Sequence, residues 1–290
     1  MGDAAASHVA IEVRAVKALN LSLGGQHGLD ALSEVKGHPC ASPNAYNTGG
    51  NNDQAPWLSN VQCRKGRVVR IAFPEESGAA GVLPTQLGWL RSLEELRIPR
   101  GRISGTLPSQ LAVLSALRVL QFDSHRLSGW VPSQISRLRH LEFVDLDDNR
   151  ISGHLPASVF ASTASLRRLE LYDNSLSGTL PTEAGEVRLA TRIGLEDNRI
   201  SGWLPTEMGK LAQLRNFNAE HNRLSGVVPS SLASLPLRAL DLDWEQHTGK
   251  HPAWLVRRQG FGFGQRFGGR SHRGVAGQRF GTARGQSEPA

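Results

Sequence analysis

Leu141–Pro156 reads LEFVDLDDNRISGHLP, and Leu166–Pro181 reads LRRLELYDNSLSGTLP. The two superpose position for position: apolar residues at Leu141, Val144, Leu146 and Ile151 answer Leu166, Leu169, Leu171 and Leu176, and Asn149 answers Asn174. Working outward, the Ser-Gly-x-(Leu/Val)-Pro ending returns as ISGTLP at Ile103–Pro108, LSGWVP at Leu127–Pro132, ISGWLP at Ile200–Pro205 and LSGVVP at Leu224–Pro229. The steps between successive copies are 24, 24, 25, 24 and 24 residues. A degenerate copy lies upstream at Ala79–Pro84 and a decayed one downstream at His247–Pro252. Self-similarity at a fixed period implies a solenoid in which each repeat stacks only on its neighbours.

Each part of the repeat has a physical role. The alternation in Val144-x-Leu146 predicts a short strand with one buried face. Asn follows where the chain turns inward, its amide able to bond backbone groups and to form a ladder with stacked copies. Gly lets the backbone turn again, and Pro fixes φ before a short helical turn such as Ser109–Leu114, for which Ser or Thr is the expected N-cap. Gly101 and His125 stand at the Asn position of the first two full repeats, and Glu245 at that of the last.

The composite L-x-x-L-x-L-x-x-N-x-L-S-G-x-(L/V)-P resembles the plant-type leucine-rich repeat of receptor-like kinase and receptor-like protein ectodomains, over roughly residues 68–252. The resemblance implies an α/β, right-handed solenoid with a curved parallel sheet on its concave face, short helices or 3-10 turns on its convex face, and a second strand layer from the Ser-Gly segment. The expected organisation is a helical N-terminal cap at 1–66, about seven or eight repeats at 67–256, and a Gly/Arg/Phe-rich disordered tail at 257–290. Ala10–Leu32 is read as one or two short amphipathic helices. Trp57 to Cys63, followed by Gly66-Arg-Val, is similar to the cap of this family, although Asn60 stands where Gly is usual and the near partner cysteine is missing. The resemblance implies a Cys40–Cys63 disulfide of unusual spacing; two unrelated thiols are the alternative.

The net charge of +7 is concentrated at one end. The tail holds seven Arg and a single acid, Glu288, so the repeats are near neutral. No apolar run is long enough to span a membrane and no secretory leader is visible, which reads as cytoplasmic, with the cell surface as the family alternative.

Reading the same strand position across repeats gives columns on the concave face. Three of them hold Asp123, Asp145, Asp147, Asp148, Glu170, Asp173, Glu196, Asp197, Glu220, Asp241 and Asp243, with Tyr172, His221 and Trp244 among them as aromatic anchors. The column after Asn holds Arg102, Arg126, Arg150, Arg199 and Arg223, broken by Ser175, with an expected strand-to-strand spacing of about 4.8 Å. One reading is a solvated face of weak ion pairs. The other is an acidic groove with an Arg rim that takes a protein or peptide of basic or mixed charge. Trp130 and Trp203, in the x of Ser-Gly-x, are expected to pack against neighbouring rungs.

Asp145-x-Asp147-Asp148-Asn149 lacks the Gly and Glu of a calcium loop, and neither metal-ligand nor phosphate-loop spacing occurs. The function expected is therefore a non-enzymatic recognition module without cofactor or metal, acting as a monomer or in a hetero-complex. A truncated receptor ectodomain and a secreted enzyme-inhibitor-like protein are the alternatives within the family. An RNA-associated protein acting weakly through its tail is the alternative outside it.

Overall fold

The computed structural model describes residues 2–23, 40, 61–75 and 77–243. Helix α1 (Gly2–Ser22) precedes strands β1 (Val61–Arg64) and β2 (Arg67–Ala72), which pair antiparallel. From β2 onward each repeat contributes one strand to each of two sheets. The first sheet has nine strands. It continues from β2 through β4 (Glu95–Arg97), β6 (Val119–Gln121), β8 (Phe143–Asp145), β10 (Arg168–Glu170), β12 (Arg192–Gly194), β14 (Asn216–Asn218) and β16 (Ala239–Asp241), all parallel. The second has seven, in the order β15 (Arg223–Leu224), β13 (Arg199–Gly202), β11 (Ser175–Thr179), β9 (Arg150–Gly153), β7 (Arg126–Gly129), β5 (Arg102–Thr106) and β3 (Ala80–Val82).

The first sheet is in strict repeat register: Leu120 pairs with Val144, Val144 with Leu169, Leu169 with Ile193, Ile193 with Phe217 and Phe217 with Leu240. Residues one period apart are therefore lateral neighbours. Their apolar side chains form one continuous buried core, which the buried Ala15, Val16, Leu19 and Leu23 of the N-terminal segment close at its first end.

The Asn ladder joins the two sheets. Asn174 Nδ2 donates to the carbonyls of Leu146 (2.9 Å), Leu171 (3.2 Å) and Tyr172 (3.1 Å), and its Oδ1 accepts from Ile151 N–H at 2.9 Å. Asn149, Asn198 and Asn222 repeat the pattern. In the second full repeat His125 takes over. Ile103 N–H donates to its Nδ1 at 3.2 Å, so Nε2 carries the proton that it donates to Ile98 O at 2.7 Å. Burial holds its pKa below the usual histidine value. The larger ring needs room, and Gly101 supplies it: a Cβ there would lie 2.8 Å from His125 Cε1. The two departures from Asn are thus one packing solution.

On the far side of each strand pair, Pro leads into a 3-10 turn, as at Ser109–Val113 and Ser133–Arg137. The expected Ser or Thr caps do not form. The residue before each such turn is Pro, extended and with no side-chain cap bond. The one 25-residue step carries α2 (Ala157–Ser162) instead, where the extra residue allows a full α turn. In place of a short helix or two within Ala10–Leu32, the described residues show one helix of 21 residues, Gly2–Ser22, which starts earlier than expected; residues 24–32 lie outside the described ones. Glu12, buried within it, accepts from Val68 N–H at 3.0 Å and pairs with Arg67, tying α1 to β2. Cys40 and Cys63 are joined in a disulfide with their Cα atoms 5.7 Å apart. The tail, Trp57, Asn60, the decayed copy at His247–Pro252 and the candidate anchor Trp244 lie outside the described residues.

Candidate functional site: the wall of the first sheet

The in-register strands bring the expected carboxylates onto one wall, but they are not equivalent. Asp145 and Asp147 are buried, and Glu170 is 0% exposed. Asp123, Glu196, Glu220 and Asp243 are half-buried, while Asp148, Asp173 and Asp197 are exposed. Burial raises the Asp145 carboxyl to about 8, reinforced by the neighbouring charges of Asp147, Asp123 and Glu170. Burial likewise lifts Asp147 to about 6 and Glu196 to about 7, and moves Asp173 and Glu220 upward. Tyr172 donates its hydroxyl to Asp147, and burial with that bond raises its own pKa. The centre of the wall therefore holds protons at neutral pH, and it is less negative than the sequence count implies.

The exposed column has a backbone explanation. Ser124, Asp148, Asp173, Asp197 and His221 all have positive φ, between 46° and 56°. Short polar residues are the non-glycine types that tolerate this left-handed turn best. Asp243 also has a structural task. Its carboxylate accepts from His221 N–H (2.9 Å) and Asn222 N–H (2.8 Å). In earlier rungs a backbone carbonyl of the next repeat accepts from the Asn N–H, as Asp197 O does for Asn174. His221 Nδ1 lies 3.0 Å from Asp197 Oδ1.

What the sequence reading missed is the column just before the first strand apolar residue: Glu95, Val119, Phe143, Arg168, Arg192, Asn216. Period two puts it on the same face as Asp145 and Glu170, so the signal was present. Arg168 and Arg192 both pair with Glu170 Oε1, at 2.6 and 2.5 Å. Arg97 and Arg168 flank the Phe143 ring at 5.7 and 5.3 Å from its centroid, a cation–π sandwich. Three carboxylate oxygens in this centre, Asp145 Oδ1, Glu170 Oε2 and Glu196 Oε2, are buried without a hydrogen-bond partner. Gly194 makes room for two of them: a Cβ there would fall 3.2 Å from Glu196 Oε2 and closer still to Glu170 Oε2.

The Arg column departs from expectation. Arg102, Arg126, Arg150, Arg199 and Arg223 are exposed, and they open the strands of the second sheet rather than rim the acidic strands. Among the described residues none of the five has an ion pair. Nor are they strand neighbours of one another. The second sheet is staggered, so that Ser104 pairs with Arg126, Ser128 with Arg150, Ser177 with Arg199 and Ser201 with Arg223. A two-residue stagger across one strand spacing puts successive Arg Cα atoms about 8 Å apart instead of 4.8 Å.

Two stacked sheets generated by one repeat, with an Asn ladder between them, define a leucine-rich-repeat solenoid. The Leucine Rich Repeat family model matches residues 140–161, 165–186 and 213–235. Among solved structures, the plant peptide hormone receptor RGFR1 in complex with RGF2 is 33% identical, with a TM-score of 0.58 over 59% of this chain and 27% of that one. The LRR ectodomain of the plant membrane receptor kinase GASSHO1/SCHENGEN3 from Arabidopsis thaliana, in complex with CASPARIAN STRIP INTEGRITY FACTOR 2, is 30% identical, with a TM-score of 0.57 over 62% and 22%. The PEPR1–AtPEP1 complex is 25% identical, with a TM-score of 0.65 over 79% and 31%. The chain thus spans less than a third of the length of each. No curated protein matches the sequence significantly. Among the described residues no helix is long and apolar enough to cross a membrane.

Proposed function

We infer that the wall of the first sheet is the recognition surface of a non-enzymatic, extracellular binding module, and that its ligand is an extended peptide or protein segment carrying cationic side chains. The observation that carries this reading is the trio of unpartnered acceptors in the centre of the wall, Asp145 Oδ1, Glu170 Oε2 and Glu196 Oε2. A buried carboxyl oxygen without a partner is costly, and an ammonium or guanidinium group brought by a ligand would satisfy it, taking the place of the proton that burial holds on Asp145 and Glu196. Phe143 between its two Arg, and Tyr172 beside Asp147, offer the aromatic contact area that concentrates binding energy. The similar RGFR1, a plant peptide hormone receptor solved in complex with RGF2, supports a peptide as the kind of ligand. The Cys40–Cys63 disulfide is the kind of bond an oxidising compartment keeps, which supports the extracellular reading.

The test is selection from a random-peptide display library on the full chain, with the D147N/Y172F/E196Q triple variant in parallel. Enrichment of Lys and Arg by the parent and its loss in a folded triple variant are expected. Recovery of peptides without cationic bias, or equal enrichment by the variant, would reject the proposal.

A further inference from the structure

The outer face of the second sheet repeats its own chemistry. On β5, β7, β9, β13 and β15 Arg faces out, the next residue is buried, Ser is half-buried, Gly follows, and the x residue faces out again; β11 carries Ser175 in place of Arg. The x residues are Val82, Thr106, Trp130, His154, Thr179, Trp203 and Val227. Trp130 is 71% exposed and Trp203 73% exposed, although the Trp203 indole leans on Gly226 of the next rung. Packing against neighbours therefore leaves most of both indoles uncovered. The Ser hydroxyls between donate to carbonyls of the preceding Gly, as Ser128 Oγ does to Gly105 O at 3.2 Å and Ser152 Oγ to Gly129 O at 3.1 Å. Their lone pairs stay available to accept from a ligand hydroxyl.

Stagger sets these groups in slanted rows: Thr106, Ser128 and Arg150 lie side by side on consecutive strands, and Ser152 lies beside Ser175. The result is a face whose guanidinium groups, without ion pairs among the described residues, lie about 8 Å apart on β5, β7 and β9 and again on β13 and β15, with Ser175 of β11 between the two runs, hydroxyl acceptors between them and two open indoles. Charge complementarity calls for an anionic partner, and charges recurring on three and then two neighbouring strands call for an extended one that carries several anionic groups. Indole faces stack on the apolar faces of sugar rings, and the hydroxyl row suits a polyhydroxylated chain. We propose that this face binds an extended acidic polysaccharide, a polyuronate, with its carboxylates on the Arg of β5, β7, β9, β13 and β15 and its rings on Trp130 and Trp203. Nothing in this requires the peptide-binding wall, which belongs to the other sheet.

The experiment is calorimetric titration of the full chain with a de-esterified oligogalacturonate. Its methyl-esterified form, poly-glutamate and single-stranded DNA are run as comparators, at low and high ionic strength. Binding to the acidic oligosaccharide that weakens with salt, and no binding to the ester, are expected. The W130A/W203A pair and the R126Q/R150Q/R199Q triple should each weaken it by about tenfold or more. The seven Arg of 257–290 are present in every variant, so these differences read the sheet alone. Thermal melts check folding, and W130F/W203F and R126K/R150K/R199K, which keep an aromatic face and the charge, should retain most of the affinity. Failure to bind, equal binding of poly-glutamate or DNA, or full affinity in the folded Trp pair would overturn the proposal.

Discussion

The two sheets are generated by the same repeat, yet they treat charge in opposite ways. On the first, carboxylates crowd into the wall, Asp145, Asp147 and Glu170 are buried, and burial keeps the proton on Asp145 at neutral pH. On the second, five Arg stand exposed, with no ion pair among the described residues. Register is the cause. In-register strands stack like on like at about 4.8 Å, whereas the stagger separates like charges to about 8 Å. Like charges held close must neutralise or acquire counter-ions; like charges held apart need neither.

The contrast depends on the Asn ladder, which fixes how one sheet sits beside the other. Asn174→Ala removes donors to three carbonyls and the acceptor for Ile151 N–H, all inside the turn. Leaving buried backbone groups unsatisfied should cost about 2–4 kcal/mol. Differential scanning calorimetry should show Tm lower by about 5–10 °C. A shift of under about 1 °C would mean that the ladder does not hold the sheets in register.

The second effect lies within the first sheet. Asp145 keeps its proton in the fold up to about pH 8, whereas the unfolded chain releases it near the ordinary aspartate value. Raised folded-state pKa values for an acid mean that stability is fully present below the unfolded value and falls as pH rises toward the folded one. Asp145→Asn should therefore stabilise the protein by about 1–3 kcal/mol at pH 8 and change it little at pH 4. Urea titrations at the two pH values would show this. Equal effects at both would remove the buried proton from the account. Binding of a cationic peptide should strengthen over the same interval, as Asp147, Glu196 and then Asp145 ionise.

Period and spacing were enough to place the core, both sheets and the three acidic columns, because an in-register parallel stack converts sequence interval directly into lateral contact. They did not disclose which columns would be buried. Asp145 and Glu170 are covered by long side chains from adjacent rungs, such as Arg168 and Arg192, and coverage depends on side-chain reach rather than on interval. Asp148, Asp173 and Asp197 were read as ligand contacts, when a left-handed turn already accounts for a short polar residue there. The position of the Arg column was visible and its spacing was not. The stagger arises in the turn between the two strands, whose geometry the Asn-to-Gly motif does not spell out. Gly101 and His125 each looked like decay, and only their contact shows them to be complementary.

The smallest effect separates the sheets most sharply. Arg126 lies between Arg102 and Arg150 in the column and has no ion pair among the described residues. Replacing it with Gln removes no buried contact and eases a residual repulsion that salt already screens. Stability should change by less than about 0.5 kcal/mol, with any gain confined to low ionic strength. Chemical denaturation at low and high salt measures it. A loss above about 1 kcal/mol would show that Arg126 is tied into the fold after all, for instance to the acidic wall, and the second sheet would then be neutralised in the same way as the first.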